Sequence, residues 1–139
     1  MTKKTIWITG GSTGIGKALA IKFASKGWNV AVSARRTELL NELSKSYENI
    51  SSFSLDVTDK EKCKEVFNEI KNKYQNIDIC FFSTGTWDPK KEKDIDVEQM
   101  EDVFKINFFG TVNSIKAVEQ YFRDKKNGII TIVSSIAGY

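Results

Sequence analysis

Thr9-Gly10-Gly11-Ser12-Thr13-Gly14-Ile15-Gly16 is the stretch on which the fold of this 139-residue chain turns. The apolar run Ile6-Trp7-Ile8 precedes it and reads as a short buried strand. Lys17 to Ala24 follows, and the apolar residues at 15, 19, 20 and 23 fall in helical register. Glycine in a strand-to-helix turn lets the backbone bend tightly and approach a ligand with no Cβ between. The free N–H groups of the helix's first turn, aided by the helix dipole, then face an anion. A pyrophosphate suits a strand–turn–helix unit of this kind.

Outward from that turn, strands and helices alternate. Trp28 to Ser33 reads as strand two, after a helix stop at Gly27. Thr37 to Tyr47 reads as a helix with Thr37 as N-cap and Leu39, Leu40 and Leu43 on one face. Ile50 to Leu55 is strand three, near a sheet edge. Thr58-Asp59-Lys60-Glu61 has the capping-box pattern and opens a helix to about Tyr74, with Val66, Phe67 and Ile70 inward. Ile77 to Phe82 is nearly continuous in apolar character, as a central parallel strand should be. An irregular segment, Ser83 to about Asp94, holds the sole proline, Pro89. The long helix after it, roughly Val97 to Lys125, has apolar residues on more than one stripe, which predicts burial on two sides. Asn127-Gly128 closes it, and Ile129 to Val133 is strand five. This order predicts one domain of α/β class: a Rossmann-type doubly wound parallel sheet with strands 3-2-1-4-5 and right-handed crossovers. The glycine turn then lies at the carboxyl end of strand one, where open α/β sheets bind ligands.

Composition narrows the chemistry. Lys and Arg total 21 against 18 Asp and Glu, a net charge of +3. Mixed runs such as Lys60-Glu61-Lys62 and Lys90-Lys91-Glu92-Lys93 read as solvated surface and give no basis for nucleic-acid binding. There is no histidine, which removes His-based acid–base chemistry and most zinc site types. Cys63 and Cys80 lack metal-ligand spacing and read as small core residues, so no metal is expected. No apolar run reaches transmembrane length, and the run after Lys3-Lys4 is too short for a signal peptide. A soluble, cytoplasmic domain with no membrane partner is expected.

The glycine spacing is T-G-x-x-x-G-x-G, not the G-x-G-x-x-G of the common dinucleotide fingerprint. It resembles the nucleotide loop of the short-chain dehydrogenase/reductase family, which implies dinucleotide contacts from Gly10, Ser12, Thr13, Gly14, Ile15 and Gly16. Strand two ends in Ala34-Arg35-Arg36, with no acid to accept from a ribose 2′-hydroxyl. A guanidinium there suits a 2′-phosphate, and NADPH-dependent family members often read S/T-A-R at this point. NADP (NADPH) is therefore expected in preference to NAD, with Arg35 the main contact and Arg36 secondary. A solvated pair of arginines at a helix start is the plainer alternative.

Further matches follow in chain order. Asp56-Val57 ends strand three where the family touches the adenine; capping of a turn before Thr58 is a second role open to Asp56. Ser83-Thr84-Gly85 stands where the family shows N-A-G, so Thr84 and Gly85 join the cofactor residues while serine replaces asparagine. Asn107, in Asn107-Phe108-Phe109-Gly110, matches the family's N-x-x-G, an asparagine on a helix irregularity that holds a water linked to the catalytic lysine. An asparagine bonded within its own helix is the alternative. Ser134-Ser135-Ile136-Ala137-Gly138 resembles S-S-x-A-G, which implies Ser135 as the catalytic serine that hydrogen-bonds a substrate carbonyl.

The resemblance implies hydride transfer between a nicotinamide cofactor and a small-molecule carbonyl or alcohol. It also implies a Y-x-x-x-K pair on the helix after strand five, beyond Tyr139, so no tyrosine of this chain is assigned that role. On this reading the chain is an amino-terminal fragment, inactive alone, that exposes strand five and one face of the long helix and self-associates through them. A homo-oligomer is the expected state. A dinucleotide-binding or redox-sensing module without catalysis is the competing reading.

Overall fold

The computed structural model describes residues 3–87 and 95–135. Pro89, the Lys90–Lys93 run, and Ile136, Ala137, Gly138 and Tyr139 lie outside them. Five parallel strands, β1 (Thr5–Thr9), β2 (Asn29–Ala34), β3 (Ile50–Ser54), β4 (Ile79–Phe82) and β5 (Ile129–Ile132), form one sheet in the order β3-β2-β1-β4-β5. The helices are α1 (Gly14–Ser25), α2 (Thr37–Ser46), α3 (Lys60–Tyr74), α4 (Val97–Val103) and α5 (Gly110–Lys125). Between α4 and α5 the helix widens into a π segment, Phe104–Phe109. The long helix of the sequence reading is thus three consecutive pieces.

The alternation of side chains along each strand divides the core in two. Ile6, Ile8, Val30 and Val32 point to the face covered by α1 and α2, where they meet Ala20, Ala24, Leu40 and Leu43. Trp7, Ala31, Cys80 and Phe82 point to the other face and meet Cys63, Val66, Phe67 and Ile70 of α3 and Val118 of α5. Trp7 is fully buried, lies edge-on to Phe82 at 5.6 Å, and donates its indole N–H to Ser33 Oγ at 2.9 Å. Every residue of β1 is buried, as befits the middle strand. Its Trp7, truncated to alanine, would cost about 3–5 kcal/mol.

Both cysteines belong to this core. Burial pushes the Cys63 thiol up to about 11 and raises that of Cys80 too, so both stay protonated at neutral pH. Among the described residues no helix is long and apolar enough to cross a membrane, and no cluster of side chains could hold a metal.

Local details differ from the sequence reading. Asp59, not Thr58, caps α3, and its Oδ1 accepts from the amides of Glu61 and Lys62. Arg36 occupies the N-cap position of α2 and Thr37 is its first helical residue. Ile15 is 63% exposed on the first turn of α1, although its spacing put it on the helix's apolar stripe. The long helix is covered on one side only: Phe104, Phe108, Phe109 and Val112 are exposed, as are Ile129, Ile130, Ile132 and Val133 in and after β5.

Candidate functional site

Gly10 leaves β1 with φ +70, a left-handed conformation that glycine adopts without strain. A Cβ on Gly10 would lie 2.8 Å from the Ser83 carbonyl oxygen, and one on Gly16 would collide with the Gly10 carbonyl. The loop therefore passes so close to β4 and to its own helix that side chains are excluded at both ends. It is tied on both flanks: the Gly11 amide donates to the Ser33 carbonyl at 3.1 Å, and Ser83 Oγ donates to the Thr9 carbonyl at 2.7 Å. Serine thus keeps a bond between β4 and β1 at the position where the family's asparagine stands.

The first turn of α1 holds no acidic residue, and the Thr13 side chain makes no capping bond to it. Its residues Gly14, Ile15 and Gly16 line a cleft of about 270 Å³ at the carboxyl ends of β1, β2, β3 and β4. The structure gathers there all twelve residues named for a cofactor: Gly10, Ser12, Thr13, Gly14, Ile15 and Gly16 from the loop, Arg35 and Arg36 after β2, Asp56 and Val57 after β3, and Thr84 and Gly85 after β4. Ala34, Leu55, Ser83, Ile106 and Val133 complete the walls. The sequence reading did not name these five as cofactor residues; the signal for Ala34, Leu55, Ser83 and Val133 was their place at strand ends, and that for Ile106 its place beside Asn107.

Asp56 Oδ1 accepts from the Thr58 amide at 2.9 Å and from the Thr58 hydroxyl at 2.8 Å. The turn-capping role is therefore present. Partial desolvation pushes the Asp56 carboxyl up, but the bonds from Thr58 and the charges of Arg35 and Lys105 together outweigh it and hold it below its ordinary value. Asp56 is thus a carboxylate at neutral pH.

Asn107 sits within the π segment, where an extra residue in the turn aims its side chain off the helix. Its Oδ1 accepts from the Thr86 amide at 2.7 Å and its Nδ2 donates to the Thr86 carbonyl at 2.9 Å. The amide bonds across to the loop after β4, not within its own helix. Gly110, one turn on, lets α5 press against Val57, since a Cβ there would strike the valine side chain. Ser135 is exposed three residues beyond the end of β5, at the cleft's end of the sheet.

The sequence reading gave none of Tyr47, Tyr74 and Tyr121 a lysine four residues on, and for Tyr121 that is wrong: Tyr121 and Lys125 have Y-x-x-x-K spacing, on α5, before strand five. The structure places them at the amino end of β4, away from the cleft. Tyr121 Oη accepts from the Ile77 amide at 2.9 Å, and Lys125 Nζ donates to the Ile77 carbonyl at 2.6 Å and lies 3.6 Å from Asp78. They anchor the helix to the sheet.

The family model described as short chain dehydrogenase matches residues 4–139. The chain belongs to that family. Among short-chain dehydrogenase relatives, an uncharacterized oxidoreductase of Listeria monocytogenes is 33% identical over 139 residues, covering 97% of this chain and 56% of the relative. The NADPH-dependent 1-acyldihydroxyacetone phosphate reductase of Schizosaccharomyces pombe is 34% identical over 141 residues, covering 99% of this chain and 46% of the relative. A solved structure of ElxO with NADP bound superposes with a TM-score of 0.87 at 30% identity, over 98% of this chain and 57% of that one. The chain spans about half the length of the curated relatives it matches.

Proposed function

We propose that this chain forms the nucleotide-binding half of an NADPH-dependent oxidoreductase that interconverts a small-molecule carbonyl and alcohol. The observation that carries the reading is the cleft itself: a glycine loop too tight for side chains, a helix N-terminus with no acid of its own, and two arginines at the ribose end. Those residues fit a dinucleotide. The amides of the α1 first turn would receive its pyrophosphate, Arg35 its 2′-phosphate with Arg36 beside it, and Asp56 and Val57 its adenine. Thr84 and Gly85 would line the passage toward the nicotinamide. When bound, the nicotinamide supplies or accepts a hydride.

On this reading Ser135 orients the substrate carbonyl by donating a hydrogen bond to its oxygen. Asn107 acts by fixing the loop after β4 through Thr86. No residue lining the cleft is assigned proton delivery, so the 139-residue chain is expected to bind nucleotide without turnover. Its setting is the cytoplasm, and its exposed apolar faces associate with a second copy.

Calorimetric titration with NADPH and with NADH tests the reading. NADPH is expected to bind the tighter of the two. Equal affinities would remove the 2′-phosphate assignment, and binding of neither would remove the nucleotide role of the cleft.

A further inference from the structure

Arg36 stands at the start of α2, yet its guanidinium turns away from that helix. Nη2 donates to Thr13 Oγ1 at 3.2 Å and to Ser12 Oγ at 3.4 Å. Thr13 is the N-cap residue of α1 and Arg36 that of α2, and neither uses its side chain to cap its own helix. One side chain therefore ties two helix N-termini together across 23 residues of sequence. The two hydroxyls it holds lie inside a loop whose neighbours are Gly10, Gly11, Gly14 and Gly16, residues that give the backbone no stiffness of their own.

We infer that Arg36 is a positioning residue: it holds the Ser12–Thr13 turn in its binding shape before nucleotide arrives, so affinity for NADH as well as NADPH depends on it. The inference rests on the dinucleotide reading of the cleft and goes beyond it. A group that only contacted the 2′-phosphate would matter to NADPH alone. A group that keeps the loop ordered lowers the cost of binding either dinucleotide.

Two readouts test it. In the nucleotide-free chain, Arg36→Ala should speed hydrogen exchange at the Gly11 and Lys17 amides, which donate to the Ser33 and Thr13 carbonyls and flank the turn, about three- to ten-fold. Lys22→Ala, which removes an exposed cation from the last turn of α1, should leave those amides unchanged. In titrations, Arg36→Ala should weaken NADH by about the same three- to ten-fold. The pair Ser12→Ala and Thr13→Val removes the acceptors, and its effects should not add to those of Arg36→Ala. Arg36→Lys should recover part of both, because an ammonium still donates though it lacks the planar fork. Unchanged exchange at the loop would overturn the inference, as would a loss confined to NADPH. Should the wild-type chain bind neither dinucleotide, the reading of the cleft falls and the affinity half of the inference with it; the exchange measurement alone then decides whether Arg36 holds the loop.

Discussion

Asn107 grips Thr86 by both of its backbone groups, accepting from the amide at 2.7 Å and donating to the carbonyl at 2.9 Å. A side-chain amide is the one neutral group that offers a donor and an acceptor side by side, so it can stand in for a strand partner. Here it does so for a loop that has just left the sheet.

Replacing Asn107 with alanine leaves two half-buried backbone groups unpartnered. The expected loss of stability is about 1–3 kcal/mol, read from urea midpoints at constant slope. Asn107→Asp keeps the acceptor and loses the donor, and should fall between. A midpoint for Asn107→Ala equal to that of the wild type would show that the pairing adds nothing.

Arg35→Ala removes the cation assigned to the 2′-phosphate. A hydrogen bond to a charged group contributes about 1.5–3 kcal/mol, so NADPH affinity should drop roughly 10- to 100-fold while NADH changes far less. Equal losses for both nucleotides would move Arg35 from a discriminating role to a general one.

Asp56 links pH to stability. Its carboxyl is held below the ordinary value in the folded chain, so the folded state gains from the charged form. That gain is fully present above the unfolded pKa, near pH 4, and is lost as pH falls through the lower folded value. Wild type minus Asp56→Asn should therefore show its largest stability difference at about pH 6–7 and shrink toward zero in acid. A difference that grows below about pH 4 contradicts the assignment.

Phe104, Phe108, Phe109 and Val112 form an apolar run along the outer side of the long helix, and β5 presents an open edge. Exposed patches and free strand edges of this sort recruit partners. Sedimentation at rising concentration should show dimers or larger species, and Phe108→Glu should shift them toward monomer. A clean monomer throughout the range would count against association.

Much of this was legible in the residues because period and punctuation agree. Runs such as Ile77 to Phe82 can only be central strands, and the strand order follows from the alternation with helices. The glycine loop, Arg35 and Asp56 announced themselves by residue type at strand ends. What stayed hidden depends on partners distant in sequence. Nothing local in Asn107 names Thr86 as its mate, and nothing in Arg36 points back across 23 residues to Thr13. The cap of α3 was misplaced by one residue because Thr58 and Asp59 are both good caps, and only the conformation of the preceding turn, fixed by Asp56, decides between them. Tyr121 and Lys125 show the converse: their spacing is right and their end of the sheet is wrong.

The setting of Trp7 gives the protein a built-in optical ruler. This indole is sealed between Phe67 and Phe82 with its N–H taken by Ser33, so it should emit in the blue and ignore quenchers such as iodide. Trp87, two residues beyond the cleft wall at Gly85, is 63% exposed and should emit in the red and be readily quenched. Trp28, half-buried against Phe23, adds an intermediate component, so the shortest wavelengths report whether the sheet is intact and the longest what happens at its ligand-facing end.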